Sequence, residues 1–179
     1  MKFAISSGHG KYIRGAAGSP VPPYLDEVDE ARRVVSEVAA VLRGDGNTVV
    51  TFNDDVSTTQ SQNLDRIVDW HNNQTRDWDV SVHFNAYQTT SKAMGSEVLY
   101  VSSTGETMAR AVVNKICENG FVNRGPKKRT DLAFLNGTDE PAVLLEVCFV
   151  DSRADADLYR AKFKQTCHSI AEGLAGHAI

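Results

Sequence analysis

The clearest pattern in the chain is a run of apolar residues at helical spacing in its first quarter. Between residues 26 and 43, apolar side chains stand at positions 28, 31, 34, 35, 38, 39, 41 and 42, close to the 3.6-residue period of an amphipathic helix. The segment Gly44-Asp45-Gly46-Asn47 follows at once, and glycine is favoured just past the end of a helix. We therefore predict a helix over residues 26–43 with one buried side.

Shorter apolar segments alternate with further helical patterns along the rest of the chain. β-branched and other apolar residues predict strands over residues 2–6, 48–52, 79–83, 97–101, 132–135 and 142–147. Helices are predicted over residues 60–73, 104–119 and 152–177, and a basic loop over residues 120–131. This alternation predicts an α/β fold, with a mixed, mostly parallel sheet of about six strands and helices on both faces. Residues 97–101 and 132–135 are the candidates for antiparallel strands.

Length and charge narrow the class of protein. A chain of 179 residues suits one domain, and we find no repeat or linker that divides residues 1–179. Hydrophobic residues make up 41% and charged residues 23%, as in ordinary globular proteins. The net charge of −4 argues against a nucleic-acid partner, because duplex binding needs a basic face.

The cysteines and the N-terminus bear on where the protein is made. Three cysteines, at positions 117, 148 and 167, cannot all pair within one chain, and none has CxxC spacing, so we expect reduced thiols. The apolar stretch at the N-terminus stops at Ile5, too early for a signal peptide. No apolar run reaches the roughly 18 residues of a membrane span. We expect synthesis in the cytoplasm without a signal peptide.

Three side chains with useful chemistry stand where predicted strands end. His9 follows the first strand, His83 ends the third, and Glu146 lies near the end of the strand over residues 142–147. Ligands of open α/β sheets bind beyond the carboxyl ends of the strands. If these strands are parallel, two imidazoles and a carboxylate meet at one edge of the sheet.

Glu27 is the carboxylate predicted to point inward from the first helix. The apolar stripe, extended backwards from Leu42 and Val38, reaches position 27. A buried carboxylate is costly unless it faces a cation. A metal ion would explain Glu27, and an ion pair with Arg14 or Arg129 is the structural alternative.

Two histidines and one glutamate, with a fourth position left to water, form a known catalytic zinc set. Zinc lowers the pKa of a bound water to about 7 and polarises a carbonyl group. Hydrolysis of an amide then needs a carboxylate that moves a proton from water to the leaving nitrogen. Glu146, an ionisable residue in an apolar strand, is the candidate, and Zn²⁺ is predicted at His9, Glu27 and His83.

Structural interpretations exist for the same residues. The Gly-His-Gly segment around His9 is compatible with a simple turn, and Glu146 with a buried ion pair. The other histidines are interpreted as structural or solvated: His71, His168 and His177.

Three segments of the chain contain His9, His83 and Glu146 in longer motifs: Ile5-Ser6-Ser7-Gly8-His9-Gly10, Ser81-Val82-His83-Phe84-Asn85-Ala86 and Pro141-Ala142-Val143-Leu144-Leu145-Glu146-Val147-Cys148-Phe149. They resemble the motifs of zinc-dependent N-acetylmuramoyl-L-alanine amidases of the Amidase_3 type. The second is similar to the family's Ser-Ile-His-x-Asn-Ala block and is the most specific. The segments follow the family's order and span essentially the whole chain. The chain departs from the family pattern at Ser6, Ser7 and Lys11 in the first segment and at Cys148 and Asp151 near the last, which leaves the metal ligands in place.

The resemblance implies a mixed, mostly parallel sheet between helices and a defined activity. His9, Glu27 and His83 would bind zinc, and Glu146 would be the catalytic acid/base. The reaction would be hydrolysis of the amide between the lactyl group of N-acetylmuramic acid and L-alanine of the peptidoglycan stem peptide.

The substrate class adds expectations about binding. Stem peptides carry carboxylates, so we expect Lys127 and Arg129 of the basic segment to contact the peptide, with a solvated loop as the alternative. Asn85 is expected to orient a ligand or a substrate carbonyl. We expect a monomeric catalytic domain that acts on the cell wall in the manner of a phage lysin.

Three alternatives stay open at this point. The first is a zinc peptidase on the same scaffold. The second is a cysteine hydrolase that uses Cys148, which shares strand parity with Glu146. The third is a wall-binding module without catalysis.

Overall fold

The computed structural model describes residues 1–17 and 25–176, which form a six-stranded sheet between two layers of helices. The strands are β1 (Lys2–Ser7), β2 (Thr48–Phe52), β3 (Trp78–Asn85), β4 (Ser96–Tyr100), β5 (Asn123–Lys128) and β6 (Ala142–Phe149). The helices are α1 (Glu27–Gly44), α2 (Gln60–Asn72), α3 (Ser103–Cys117), α4 (Ala133–Gly137), α5 (Arg153–Ala161) and α6 (Phe163–Ala175). The interpretation of His177 concerns a position outside the described residues.

The order of the strands brings the ends of distant segments together. The sheet runs β2-β1-β3-β6-β4-β5. β1 is parallel to both β2 and β3, and β3 is parallel to β6. β4 is antiparallel to β6, and β5 is parallel to β4. The prediction of a mixed, mostly parallel sheet is confirmed, and the carboxyl ends of β1, β3 and β6 share one edge.

The two faces of the sheet carry different helices. α1, α3, α5 and α6 cover the face with the larger apolar core, to which the α1 stripe contributes Val34, Val38 and Leu42. Burial of each such side chain stabilises the fold by about 1.5–3 kcal/mol. α2 and α4 cover the other face over a smaller cluster that includes Ile67, Phe134 and Leu144.

The first turn of α1 is fixed by its cap. The side chain of Asp26 accepts a hydrogen bond from the backbone N–H of Asp29, which defines Asp26 as the residue that precedes the helix. Glu27 is therefore the first helical residue, and it is buried together with Val28 and Ala31. The predicted inward direction of Glu27 agrees with this burial.

Two predictions in the middle of the chain are wrong. The predicted loop over residues 120–131 contains strand β5, and the predicted strand over residues 132–135 is replaced by the short helix α4. β5 lies at the edge of the sheet and pairs only with β4, so it tolerates Gly125 and Pro126. A four-residue apolar run does not distinguish a helix from a strand.

The C-terminal segment is divided into two helices rather than the one predicted over residues 152–177. α5 ends and α6 begins around Lys162, whose φ of −122° and ψ of 25° interrupt the helix. Within the described ranges, no helix combines the length and apolar character needed to cross a bilayer.

Candidate metal centre

His9, Glu27 and His83 come from three separate elements and meet at the carboxyl edge of the sheet. His9 follows β1, His83 lies near the end of the neighbouring strand β3, and Glu27 opens α1. The backbone N–H of Gly8 donates to the carbonyl of Val82 at 2.9 Å, which ties the end of β1 to β3. One potential ligand atom from each of the three residues lies within 4.8 Å of the other two.

The Glu27 carboxylate stands between the two imidazole rings. Its Oε1 is 3.0 Å from Nδ1 of His83 and 3.4 Å from Nε2 of His9. The ring centroids of the two histidines are 5.0 Å apart and the rings are nearly perpendicular, at 80°. This is a compact cluster of one oxygen and two nitrogen donors.

Backbone hydrogen bonds hold the Glu27 side chain in place. Oε2 accepts from the N–H of Ala16 at 2.6 Å, and Oε1 accepts from the N–H of Phe84 at 3.1 Å. The two arginines offered by the sequence as partners for Glu27 bind elsewhere: Arg14 pairs with Asp26 and Asp29, and Arg129 with Asp131. The ion pairs considered as the structural alternative for Glu27 do not form.

The lowered pKa values of Glu27 and His9 favour metal binding, whereas the raised pKa of His83 opposes it. Burial alone would raise the pKa of Glu27, but the hydrogen bond and charge of His83, followed by the charge of His9, lower it overall. Burial and the neighbouring His83 lower the pKa of His9, against the opposing charge of Glu27. Burial would lower the pKa of His83, but Glu27 and Glu146 raise it overall. An anionic Glu27 and a neutral His9 are the forms that bind a metal.

The dimensions of the cluster fit zinc. Donor atoms at 2.0–2.2 Å from a tetrahedral zinc ion stand about 3.3–3.5 Å apart. The two separations from Glu27 Oε1, 3.0 Å and 3.4 Å, are close to that edge length. Two imidazoles and one carboxylate also match the ligand types of catalytic zinc sites.

Glu146 lies directly beside this cluster. It pairs with His83 in the register of β3 and β6, so the two side chains share a face of the sheet. Burial raises the pKa of Glu146 to about 7, the charge of His83 opposes the shift, and Glu27 and Glu97 add to it. Its Oε2 atom is buried and has no hydrogen-bond partner within residues 1–17 and 25–176. A carboxyl group with this pKa exchanges protons readily near neutral pH.

A cavity of about 410 Å³ opens on the face that carries His83 and Glu146. His9, Ser81, His83 and Glu146 line its polar side. α2, β4, β6 and the α4 region supply its apolar wall, whose members are Leu64, Ile67, Leu99, Leu132, Ala133, Phe134 and Leu144. The cavity places apolar surface beside a group of donors and a proton carrier, as ligand sites commonly do.

The residues expected to bind substrate lie in three different settings. The amide nitrogen of Asn85 donates to Oε1 of Glu97 at 3.1 Å, and Oδ1 of Asn85 accepts from the next backbone N–H, so neither contacts His83. Arg129 lines the cavity and is held by two hydrogen bonds to Asp131. Lys127 is exposed and pairs in register with Leu99, which faces the cavity.

Cys148 does not share the cavity with Glu146. The register between β3 and β6 shifts after His83, so that Asn85 pairs with Phe149 and the simple alternation of sides is lost. Cys148 is fully buried in the larger core, and burial raises the pKa of its thiol. A buried thiol with a raised pKa is a poor nucleophile. The inference from strand parity that placed Cys148 beside Glu146 is wrong because of this irregularity.

Sequence reasoning missed Ser81 as a member of the site. It lies two residues before His83 on β3, so strand alternation places both on the same face. That signal was available in the sequence, whereas the apolar wall from α2 and α4 depends on how the helices pack.

The chain is similar in sequence to known proteins over most of its length. An uncharacterized 38.4 kDa protein of Clostridium perfringens is 34% identical over 169 residues, which cover 90% of this chain and 47% of that protein. An endolysin of Bacillus phage SPP1 is 32% identical over 180 residues, 96% of this chain and 62% of the phage protein. The chain thus spans between about half and three fifths of the length of these two relatives.

A solved structure shows how far the likeness extends in three dimensions. The catalytic domain of the CD27L endolysin targeting Clostridia Difficile superposes with a TM-score of 0.89 at 26% identity, covering 100% of this chain and 99% of that domain. Residues 4–176 match the sequence profile of the N-acetylmuramoyl-L-alanine amidases. On that match, which takes in nearly every residue, the protein belongs to the N-acetylmuramoyl-L-alanine amidase family.

Proposed function

We propose that the protein hydrolyses the amide bond between N-acetylmuramic acid and the L-alanine of the peptidoglycan stem peptide. The observation that carries this proposal is the convergence of His9, Glu27 and His83 beside Glu146 at one edge of the sheet. Membership of the amidase family supports the choice of bond.

In this proposal, zinc is held by His9, Glu27 and His83. When bound, zinc supplies Lewis acidity, which lowers the pKa of a water and polarises the carbonyl under attack. The hydrogen bonds from Ala16 and Phe84 fix the carboxylate of Glu27, and α1 and β3 hold Glu27 and His83 in position. These contacts orient the ligands before the ion binds.

Glu146 is the acid/base of the proposed reaction. Its carboxylate accepts a proton from the attacking water and then donates that proton to the leaving nitrogen of L-alanine. A pKa near 7 suits both steps, because neither protonation state is strongly favoured at neutral pH. Its position opposite His83 supports this role.

Cations at the rim of the cavity support binding of the acidic stem peptide. Arg129 lines the cavity, and Lys127 lies on the neighbouring edge strand β5. We assign both to contacts with peptide carboxylates. Asn85 orients the side chain of Glu97, which lies opposite Glu146 on β4. Through Glu97, Asn85 contributes to the shape of the cavity rim that binds substrate.

We further propose that residues 1–179 form the catalytic domain of a lysin-type enzyme that acts on the cell wall. Two observations support this assignment. One is the identity shared with the endolysin of Bacillus phage SPP1, and the other is the superposition on an endolysin catalytic domain over its full length.

The experiment that tests the proposal is product analysis after digestion of purified peptidoglycan. An amidase releases intact stem peptides that begin with a free L-alanine amine and leaves glycan strands with free lactyl carboxylates. A peptidase leaves the bond between the lactyl group and alanine whole. Release of N-terminal alanine that stops with a chelator and returns with zinc is the expected result, and new amine ends from any other residue would refute the proposal.

A further inference from the structure

Ser81 carries a hydroxyl group that no protein atom satisfies. The residue is only 1% exposed, and its Oγ has no hydrogen-bond partner among the described residues. It lines the cavity beside His83 and Glu146. A buried hydroxyl without a partner is destabilising, so its presence indicates a group in the cavity with which it bonds.

Two polar neighbours of Ser81 on the same sheet, Ser6 and Asp79, have hydrogen-bond partners. Ser6 pairs with Ser81 across β1 and β3, and its hydroxyl lies 2.9 Å from Nε2 of His71. Asp79, two residues earlier on β3, lies 2.7 Å from Nδ1 of His71 and also binds Arg76. His71 thus bridges Ser6 and Asp79 and leaves Ser81 to face the cavity.

Glu146 presents a second unsatisfied atom to the same cavity. Its Oε2 is buried and has no partner in the part of the chain that the structure describes. Ser81 pairs with Leu144, and Glu146 lies two residues farther along β6, opposite His83. Strand geometry separates the backbones of Ser81 and Glu146 by about 8 Å, and the glutamate side chain spans part of that distance. Two polar atoms that share one water are about 4.5–5.5 Å apart, which suits the remainder.

We propose that Ser81 is a positioning residue of the site: its hydroxyl and Oε2 of Glu146 share one ordered water, which fixes the orientation of the Glu146 carboxyl group. The inference rests on the proposed amidase function. A buried water needs two or more polar partners, and these two buried, unpartnered atoms of the cavity lining supply them. Loss of the hydroxyl leaves Glu146 free to turn away from the proton it has to move.

The test compares four proteins: the parent, Ser81→Ala, Ser81→Thr and Ser6→Ala. For each, kcat and KM on a muramyl-peptide fragment are measured together with bound zinc and the thermal midpoint. We expect Ser81→Ala to lower kcat about 10-fold, the effect of one lost hydrogen bond, with KM and zinc unchanged. Ser81→Thr keeps the hydroxyl and retains most of the parental kcat.

Ser6→Ala is the matched control, because Ser6 lies at the same register and is equally buried but bonds to His71. We expect it to lower the thermal midpoint and to leave kcat unchanged. A parental kcat in Ser81→Ala would overturn the inference and leave Ser81 as a purely structural residue. Equal losses in Ser81→Ala and Ser81→Thr would also overturn it, since cavity shape would then explain both. An inactive parent would overturn the proposed function itself.

Discussion

At the scale of the single residue, the proposed metal centre depends on the absence of a side chain at Gly8. A Cβ atom at this position would overlap the imidazole ring of His83. Gly15 has a φ of 66°, and a Cβ atom at this position would likewise overlap side-chain atoms of Glu27 and His9. The backbone at Gly8 and Gly15 thus packs directly against the side chains of the proposed ligands, with no side chain in between.

Gly8→Ala should therefore displace His83. We expect zinc affinity to fall by about 10- to 100-fold, the loss typical when a ligand is no longer held in its orientation. Competition with a chromophoric chelator measures the affinity. Gly44→Ala is the control, because a Cβ there meets nothing within 4 Å. Parental zinc affinity in Gly8→Ala would mean that His83 has room to move without leaving the metal, contrary to the geometry.

The positions of individual side chains in the candidate site could be predicted from the sequence where a simple periodicity governs them. Glu27 follows from the apolar stripe of α1, and the pairing of His83 with Glu146 follows from two strands that end together. The position of Ser81 also follows from strand periodicity. Its lack of a hydrogen-bond partner does not, because His71 of α2 bonds to Ser6 on the neighbouring strand β1 instead. The cavity wall likewise depends on the packing of α2 and α4.

The rim cations yield a second prediction at this scale. Replacing both Lys127 and Arg129 with alanine should raise KM for stem-peptide substrates about 2- to 10-fold with little change in kcat, because exposed charge pairs contribute modestly. Steady-state kinetics on muramyl peptides measures both constants. Lys164→Ala, an exposed lysine on α6, is the control. An unchanged KM in the double variant would remove these residues from the substrate site.

At the scale of the element, α2 is anchored to the sheet by a buried network around His71. Its ring nitrogens reach Ser6 on β1 and Asp79 on β3, and Arg76 closes the network by binding Asp79. Burial lowers the pKa of His71 against the opposing effect of Asp79. Burial would raise the pKa of Asp79, but the bonds from His71 and Arg76 lower it overall. The network thus links the helix beside the cavity to the strands that carry the ligands.

The direction of these shifts sets a pH dependence of stability. A histidine whose pKa is lower in the folded state stabilises the fold above its unfolded value, and this contribution is lost as the pH falls below about 6.5. In a chelator, His71 should lower the free energy of unfolding from pH 6.5 downwards by up to about 1.4 kcal/mol per pH unit, whereas the raised pKa values of His83 and Glu146 act in the opposite direction. Denaturant titration at several pH values measures this slope. His71→Gln should reduce it, and an identical slope in both proteins would contradict the account.

Helices and strands were predicted well where the hydrophobic pattern is long, and poorly where strand pairing alone determines the backbone conformation. α1 and β2 were found within a residue or two, because burial on one side of α1 and β-branched residues in β2 mark them clearly. β5 contains no apolar β-branched residue, and its strand conformation comes from pairing with β4. The break between α5 and α6 at Lys162 carries no glycine or proline signal.

At the scale of the whole molecule, the sheet order explains why residues far apart in sequence share one site. β1, β3 and β6 are adjacent and parallel, so His9, His83 and Glu146 emerge at the same edge. α1 follows β1 and returns Glu27 to that edge at its first turn. The likeness to an endolysin catalytic domain extends over the whole chain, so the scaffold corresponds over its full length.

The measurement that tests the central claim most directly is bound zinc together with release of N-terminal alanine from peptidoglycan, for the parent and Glu146→Gln side by side. Glu140→Gln, an exposed glutamate just before β6, serves as the control. The account predicts about one zinc ion per chain in all three proteins. It predicts a rate on the order of 100- to 10,000-fold lower in Glu146→Gln alone. A parent that binds no zinc, or a Glu146→Gln variant with parental activity, would contradict it.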